Sequence, residues 1–115
     1  SYMEPLCILN TIRKNSNSVQ GFSQLNKAFD SRVRLGLMAI LVVNDWVNYK
    51  DIKENLSLTD GNLASHVSSL ERIKYVEIKK QFIGKKPQTS YKATKLGRKA
   101  FADHIDGLEK VLKGQ

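Results

Sequence analysis

The stretch Thr59–Tyr75 places the strongest constraint on what this chain can fold into. Its apolar residues Leu63, Val67 and Leu70 are separated by four and three positions, and Ile73 follows three positions later. This spacing predicts an amphipathic helix that buries one face. The fold must therefore supply a core surface for that face while it leaves the other face exposed.

The outward face of this predicted helix carries short polar side chains, where an ordinary solvated helix carries Glu and Lys. Its members are Asn62, Ser65, Ser68, Ser69 and Arg72. Short side chains let a helix backbone approach a partner closely, and they donate and accept the hydrogen bonds that base edges and phosphates require. Taken alone, the pattern fits a DNA recognition helix and a surface helix with a serine-rich face equally well.

The net charge of +8 at pH 7 is confined to the segment that follows this helix. Between Glu71 and Lys99 there are ten basic and two acidic residues, whereas the rest of the chain has nine of each. A phosphate-binding surface is expected at this position if the helix enters a DNA groove. The confined charge therefore favours the interpretation as a DNA-binding helix.

Length and composition favour one small globular domain. The 115 residues are 41% hydrophobic and 26% charged, which suits one modest core. The longest apolar run, Leu35–Val43, is too short to cross a bilayer, and no signal-peptide pattern precedes it. The single cysteine, Cys7, excludes an internal disulfide and suits a reducing compartment, so we expect a cytoplasmic protein. A redox-sensing Cys7 and an incidental one both stay open.

The beginning of the chain is expected to form an N-terminal arm over residues 1–24. Ser1 and Tyr2, before Met3, are interpreted as a tag remnant. Pro5 suits the first position of a short amphipathic helix. The polar run Asn15–Ser18 then predicts a break.

A buried helix is predicted near the centre of the chain. Leu25 and Phe29 are four positions apart and indicate one or two helical turns, after which Asp30 or Ser31 can cap the next helix. The following segment, Arg32–Val43, is apolar almost all round, which is typical of a helix covered on all sides.

Two short helices joined by a tight turn are predicted next. Trp46–Tyr49 is aromatic and β-branched enough for a brief strand, and Lys50–Leu56 reads as a short helix. Ser57–Thr59 is then the turn, with Thr59 as the N-cap of the serine-rich helix and Asp60 in its first turn. This arrangement is a helix-turn-helix, whose second helix is the recognition candidate.

A β-hairpin and a long helix complete the chain. Val76–Phe82 and Thr89–Ala93 alternate as strands do, and Ile83–Gln88 between them predicts an exposed, positive loop. Thr94 caps the final helix, so we divide the chain into a DNA-binding domain at 25–93 and a dimerisation helix at 94–115. The helix carries a heptad-like seam that suits a subunit interface, with packing on its own domain as the alternative. The seam consists of Phe101, Ile105, Leu108 and Leu112.

The order of these elements resembles the winged-helix repressors of the MarR and ArsR type, and most closely a small family related to both. The fold class expected is mainly α with a β-hairpin wing. The resemblance covers about residues 25–101. It rests on four pieces: Leu58–Val67, Leu70–Glu71, Phe82–Thr89 and Thr94–Arg98.

The resemblance implies a homodimer on a pseudo-palindromic operator, with the second helix of the motif in the major groove and the wing on the minor groove or backbone. The DNA contacts implied on the recognition helix are Thr59, Asn62, Ser65, His66, Ser69 and Arg72. Those implied on the wing and basic stretch are Lys79, Lys80, Lys85 and Lys86. The sequence departs from the family pattern at Lys74, just past the end of the recognition helix, where the family usually has Gly. Glycine suits this position because a left-handed helix cap costs any other residue about 1 kcal/mol.

Catalytic and metal chemistry fit the sequence poorly. His66 and His104 lie on different predicted helices, and no nucleophile arrangement or glycine-rich phosphate loop is present. One cysteine and two distant histidines give no metal-ligand cluster. We therefore expect neither an enzyme nor a cofactor, and we read His104 and Trp46 as structural residues. His66 is either a DNA contact or a packed surface histidine.

We predict a homodimeric, sequence-specific regulator of transcription that binds double-stranded DNA, acts as a repressor and has no membrane partner. One alternative is a winged helix that binds an acidic protein through the same surfaces. Another is a winged helix that binds RNA. The sequence identifies neither the operator nor a small-molecule effector.

Overall fold

The computed structural model describes residues 19–114. The predicted arm helix at Pro5, the break at Asn15–Ser18 and Cys7 lie outside the described residues. Two 3-10 turns come first, at Phe22–Gln24 and Lys27–Phe29. The elements that follow are α1 (Arg32–Val42), β1 (Val47–Asn48), α2 (Tyr49–Leu56), α3 (Asp60–Arg72), β2 (Val76–Ile83), β3 (Lys86–Ala93) and α4 (Lys95–Lys113).

Residues 27–101 form one compact unit around α1. The hydroxyl of Ser31 accepts a hydrogen bond from the backbone N–H of Arg34 and caps α1, as one of the two predicted candidates. The predicted buried segment Arg32–Val43 is one residue too long, because Val43 lies just past the end of α1 and is 78% exposed. The buried core draws its residues from the second 3-10 turn, α1, α2, α3, β2 and β3. It comprises Phe29, Leu37, Met38, Leu41, Ile52, Leu63, Val67, Leu70, Val76, Tyr91 and Ala93.

The sheet is antiparallel, with the strand order β1-β3-β2. The wing hairpin is paired as far as Ile83 and Lys86, so its loop consists only of Gly84 and Lys85. The predicted loop Ile83–Gln88 was therefore too long. Gly84 has a φ of +65°, a conformation that glycine adopts without steric cost. Pro87 is accommodated because β1 pairs with β3 only at Ser90 and Tyr91, which leaves the edge beside Pro87 unpaired.

A second compact unit contains the described residues 19–26 and 102–114. Its two segments approach closely at glycines, since a Cβ on Gly107 would lie 2.7 Å from the carbonyl oxygen of Gly21. The Gln24 amide donates to Asp106 Oδ2 over 2.8 Å and accepts from Lys110 Nζ over 3.0 Å. The hydrogen bond from Gln24, followed by that from Lys110, lowers the pKa of Asp106.

His104 has a structural role in this second unit, as expected. Its side chain is 7% exposed, and its Nδ1 accepts a hydrogen bond of 2.9 Å from the backbone N–H of Asn26. This acceptor role requires an unprotonated Nδ1. His104 thereby satisfies a backbone donor close to the end of the 19–26 segment.

Candidate nucleic-acid interface

The helix-turn-helix is built as the sequence predicts. Ser57 ends α2 in the left-handed conformation with φ +52°, and the N–H of Leu58 donates to the carbonyl of Lys53 over 3.0 Å. Two residues later, the Thr59 hydroxyl accepts from the backbone N–H of Asn62 over 3.2 Å. The predicted N-cap is confirmed, and the turn between the two helices is closed by backbone hydrogen bonds.

Asp60 clamps the two helices of the motif together. Its Oδ1 accepts a hydrogen bond from the Tyr49 hydroxyl and lies 2.7 Å from Lys53 Nζ. The Lys53 ammonium also lies 5.8 Å from the centre of the Tyr49 ring. Three side chains from α2 and α3 thus meet at the first turn of α3. The i, i+4 spacing of Tyr49 and Lys53 on α2 is visible in the sequence. Their contact with Asp60 on the next helix is not indicated by any local sequence pattern.

Helix α3 presents a polar face opposite its buried stripe of Leu63, Val67 and Leu70. Asn62, Ser65, Ser68 and Arg72 are exposed, as is the capping residue Thr59, whereas His66 and Ser69 are half-buried. Spacing sorts these residues into two rows, with Asn62, His66 and Ser69 on one flank. The second row is Ser65, Ser68 and Arg72. The predicted recognition residues therefore share one continuous surface.

Ser69 differs chemically from its neighbours on this surface. Its Oγ donates a hydrogen bond of 3.1 Å to the carbonyl of Ser65, one turn earlier in α3. A hydroxyl has one hydrogen to donate but two lone pairs. In this rotamer, Ser69 can accept a hydrogen bond from a partner and has no hydrogen left to donate.

The end of α3 is a Schellman motif centred on Lys74. The N–H of Lys74 donates to Glu71 and the N–H of Tyr75 donates to Leu70, each over 2.9 Å. Lys74 itself has a φ of +65°, so the position where the family usually has glycine does require the left-handed conformation. The departure noted in the sequence leaves the turn geometry intact.

The same turn is joined to the start of α4. Lys74 accepts a hydrogen bond of 2.7 Å from the Thr94 hydroxyl, and Tyr75 accepts one of 3.0 Å from the Thr94 backbone N–H. That hydroxyl also accepts from the N–H of Gly97 over 2.9 Å, which confirms Thr94 as the cap of α4. A Cβ on Gly97 would overlap the carbonyl oxygen of Tyr75. The backbones are therefore in direct contact, and only glycine fits there.

The structure divides the basic stretch into exposed and structural cations. Lys80, Lys85 and Lys86 on the wing are exposed, and their ammonium groups form no ion pair with any residue of the range 19–114. By contrast, the guanidinium of Arg98 donates to the carbonyls of Val42 over 2.6 Å and Asn44 over 2.9 Å. Arg98 thus satisfies carbonyl acceptors at the C-terminal end of α1 and stabilises that end of the helix.

Trp46 anchors the base of the wing, as expected for a structural aromatic residue. Its ring centre lies 4.4 Å from Lys79 Nζ on β2 and 5.6 Å from Lys92 Nζ on β3. Lys92 also forms an ion pair of 3.2 Å with Asp45. Lys79, a predicted DNA contact, is therefore half-buried over an indole ring. Tyr91 on β3 pairs with Val47, the residue after Trp46, and burial raises the pKa of its hydroxyl.

The predicted seam residues on α4 have different environments. Phe101 packs edge-on against Phe29, with ring centres 5.6 Å apart, in the core of the 27–101 unit. Ile105 is half-buried, whereas Leu108 and Leu112 are 38% and 66% exposed. The outer half of the seam is thus the exposed apolar part.

Within residues 19–114, no three His, Cys, Asp or Glu side chains are grouped as metal ligands would be. None of the helices in that range combines the length and the apolar character that a bilayer crossing demands.

Comparison with known proteins assigns the chain to a family. The model of the family described as "Winged helix DNA-binding domain" matches residues 33–112. The chain belongs to this family. The match runs from α1 into the last turns of α4 and so includes every element of the candidate interface.

Individual relatives agree with the family assignment. The uncharacterized protein MJ0432 of Methanocaldococcus jannaschii is 40% identical over 79 residues, which cover 69% of this chain and 86% of that protein. The solved structure of a transcriptional regulator homologue protein from Pyrococcus horikoshii has a TM-score of 0.71 at 28% identity. The match covers 91% of this chain and 96% of that one.

More distant structures share the fold of this winged helix. MarR has a TM-score of 0.66 at 14% identity, with coverage of 96% of this chain and 80% of MarR. Reduced AbfR, solved bound to DNA, has a TM-score of 0.61 at 16% identity, with coverage of 94% and 73%. The expected winged-helix class is confirmed, and so is the likeness in fold to MarR. The family is one of DNA-binding domains, in agreement with the prediction that the chain is not an enzyme.

Proposed function

We propose that this winged-helix protein is a sequence-specific regulator of transcription that binds double-stranded DNA. The observation that carries the proposal is the exposed row of Ser65, Ser68 and Arg72 on α3, together with three exposed wing lysines that form no ion pair with any residue of the described range: Lys80, Lys85 and Lys86. Exposed short polar side chains suit base edges, and exposed ammonium groups suit phosphates. Membership in a DNA-binding family supports the same conclusion.

The two surfaces have different tasks in this proposal. Asn62, Ser65, His66 and Ser69 read base edges from α3, with Ser69 acting as an acceptor because its hydrogen is used within the helix. Thr59 and Arg72 contact the backbone from the two ends of α3. Lys80, Lys85 and Lys86 supply affinity that falls steeply with salt, because each phosphate contact releases counterions. Lys79 contributes more to the wing than to the DNA, because its ammonium lies over Trp46.

We further propose a homodimer on a pseudo-palindromic operator, acting as a repressor. Its support is the exposed apolar pair Leu108 and Leu112 on α4, since apolar side chains at helical spacing favour burial against a second helix. Two copies related by a two-fold axis would present two recognition helices to related half-sites.

The test begins with selection of bound fragments from the source genome, followed by anisotropy titrations at two salt concentrations. We expect Lys85→Ala with Lys86→Ala to weaken binding to all sequences alike and to flatten the salt dependence. Asn62→Ala with Ser65→Ala is the matched pair on α3, and it should lower the preference for the selected fragment by about 1–3 kcal/mol. Both pairs are exposed, so folding is not expected to limit either variant.

A result in which the unmodified protein shows no preference among duplexes would contradict this function. Preference for structured RNA over duplex DNA in a competition titration would contradict it as well. Equal effects of the two variant pairs on selectivity would refute the division of tasks between α3 and the wing.

A further inference from the structure

Apolar side chains are exposed at the tip of the wing. Phe82 is 75% exposed and Ile83 is 58% exposed, although the alternation of β2 suggests that Phe82 faces inward with Ile78. The cross-strand partner of Phe82 is Pro87, which is also exposed. The hairpin extends past the core here, so two apolar residues on β2 and one on β3 are left exposed.

On the wing itself, the charged residues around this pair are all basic, while on the α2 side Pro87 shares a cavity with Asp51 and Glu54. No acidic residue occurs between Glu77 and Asp103, and Lys80, Lys85 and Lys86 around the tip are exposed. A contiguous exposed apolar patch is typical of a contact site, and Phe82, Ile83 and Pro87 are exposed together at this tip. A partner that covers the Phe82 ring must also lie against the surrounding lysines. Their positive charge favours a polyanion over an apolar or a mixed-charge protein surface.

The hairpin is narrow enough to present the ring to a groove. Pairing continues to Ile83 and Lys86, with Gly84 and Lys85 as the whole loop, and β1 reaches only Ser90 and Tyr91. Beyond that point the wing is two strands wide. Phenylalanine and proline are among the side chains that proteins insert between base steps from the minor groove, which partially unstacks them and bends the duplex.

We propose that Phe82, supported by Pro87, is an apolar wedge that enters the minor groove and partially unstacks one base step in each half-site. This inference rests on the proposed DNA-binding function and adds a specificity-determining residue to it. Flexible pyrimidine–purine steps such as TA cost least to open, so the wedge selects for them at a position that α3 does not contact. The wing then reads the deformability of the duplex as well as its charge.

The experiment uses the full chain and a selected duplex with 2-aminopurine placed at successive positions outside the α3 contacts. Unstacking raises the fluorescence of this base, and energy transfer between dyes on the duplex ends reports the bend. We expect a fluorescence rise confined to one step in each half-site, together with a bent duplex. Phe82→Ala should abolish both signals and weaken binding to a TA-containing site by about tenfold, while a site with AA at that step changes little.

Two variants serve as controls. Ile83→Ala removes a neighbouring exposed apolar side chain from the opposite face of the strand, and it should leave both signals in place. Lys85→Ala with Lys86→Ala should lower affinity yet retain the fluorescence rise at saturating protein.

The proposal is overturned if the unmodified protein binds its site selectively without unstacking any base, or if Phe82→Ala and Ile83→Ala behave alike. Failure of the DNA-binding function is a separate result, because the unmodified protein would then show no duplex preference in the titration that precedes the fluorescence measurement.

Discussion

Replacement of Lys74 by glycine is expected to stabilise the protein. Lys74 is held at φ +65° by the Schellman motif that ends α3, and all hydrogen bonds that hold it there use backbone atoms or the Thr94 hydroxyl. None of these is lost in Lys74→Gly. The substitution therefore changes the conformational cost of the position and the exposed charge, and leaves the contacts of the turn in place.

The size of the effect follows from two opposing terms. A left-handed L-residue costs about 1–2 kcal/mol, which glycine avoids. Glycine gives the unfolded chain more freedom, and this offsets roughly 0.5–1 kcal/mol of the gain. The net stabilisation is about 0.5–1 kcal/mol, and it raises Tm by roughly 2–6 °C for a chain of this size.

Thermal unfolding followed by circular dichroism, with denaturant titration at fixed temperature, measures this change. Lys74→Ala is the matched control, because it removes the same charge and keeps a Cβ in the left-handed region. We expect only the glycine variant to gain stability. Equal Tm values for the two variants would show that charge, and not backbone conformation, determines the effect, and would refute the reasoning.

Three further substitutions test other parts of the molecule. Gly97→Ala places a Cβ against the carbonyl of Tyr75, so it should destabilise the fold by about 1–3 kcal/mol, measured as a shift in the denaturant midpoint; an unchanged midpoint would mean that this contact relaxes freely. Gly61→Ala is the converse case, since nothing lies within 4 Å of its Cβ position. It should stabilise α3 by about 0.5–1 kcal/mol. It should also weaken DNA binding, because the added methyl group stands between this turn and closely approaching DNA; improved binding in anisotropy titrations would exclude such an approach. Leu108→Glu should convert dimers into monomers by light scattering with little change in secondary structure; a persisting dimer would place the interface elsewhere.

Patterns that depend on neighbouring residues were the predictable part of this fold. The stripe of Leu63, Val67 and Leu70, the cap at Thr59 and the turn after α2 follow from helix periodicity and from hydrogen bonds between residues three to five positions apart. The left-handed position at Lys74 was expected only through the family resemblance. In each case the sequence carries both partners of the interaction within a few residues.

Pairings between distant segments were not predictable in the same way. The extension of the hairpin to Lys86 depends on which side of Pro87 is left unpaired, and the sequence of the hairpin does not contain that information. The sequence does not distinguish the basic residues from one another. In the structure, however, Arg98 donates a hydrogen bond to a carbonyl at the end of α1, and the Lys79 ammonium lies over the Trp46 ring. The exposure of Phe82 likewise depends on where the core ends, since alternation alone assigns it to the buried face.

The junction of Lys74, Tyr75 and Thr94 determines how the proposed recognition helix is held. The backbone contact at Gly97 and the hydrogen bonds of Thr94 tie the last turn of α3 to the first turn of α4, so the two helices change direction together. Both helix turns belong to the unit of residues 27–101, which also contains the wing. In the proposed DNA complex, the junction therefore holds the readout helix α3 in a fixed direction relative to the wing hairpin that follows it. A substitution that loosens the junction would weaken the discrimination between base sequences without removing a single DNA contact.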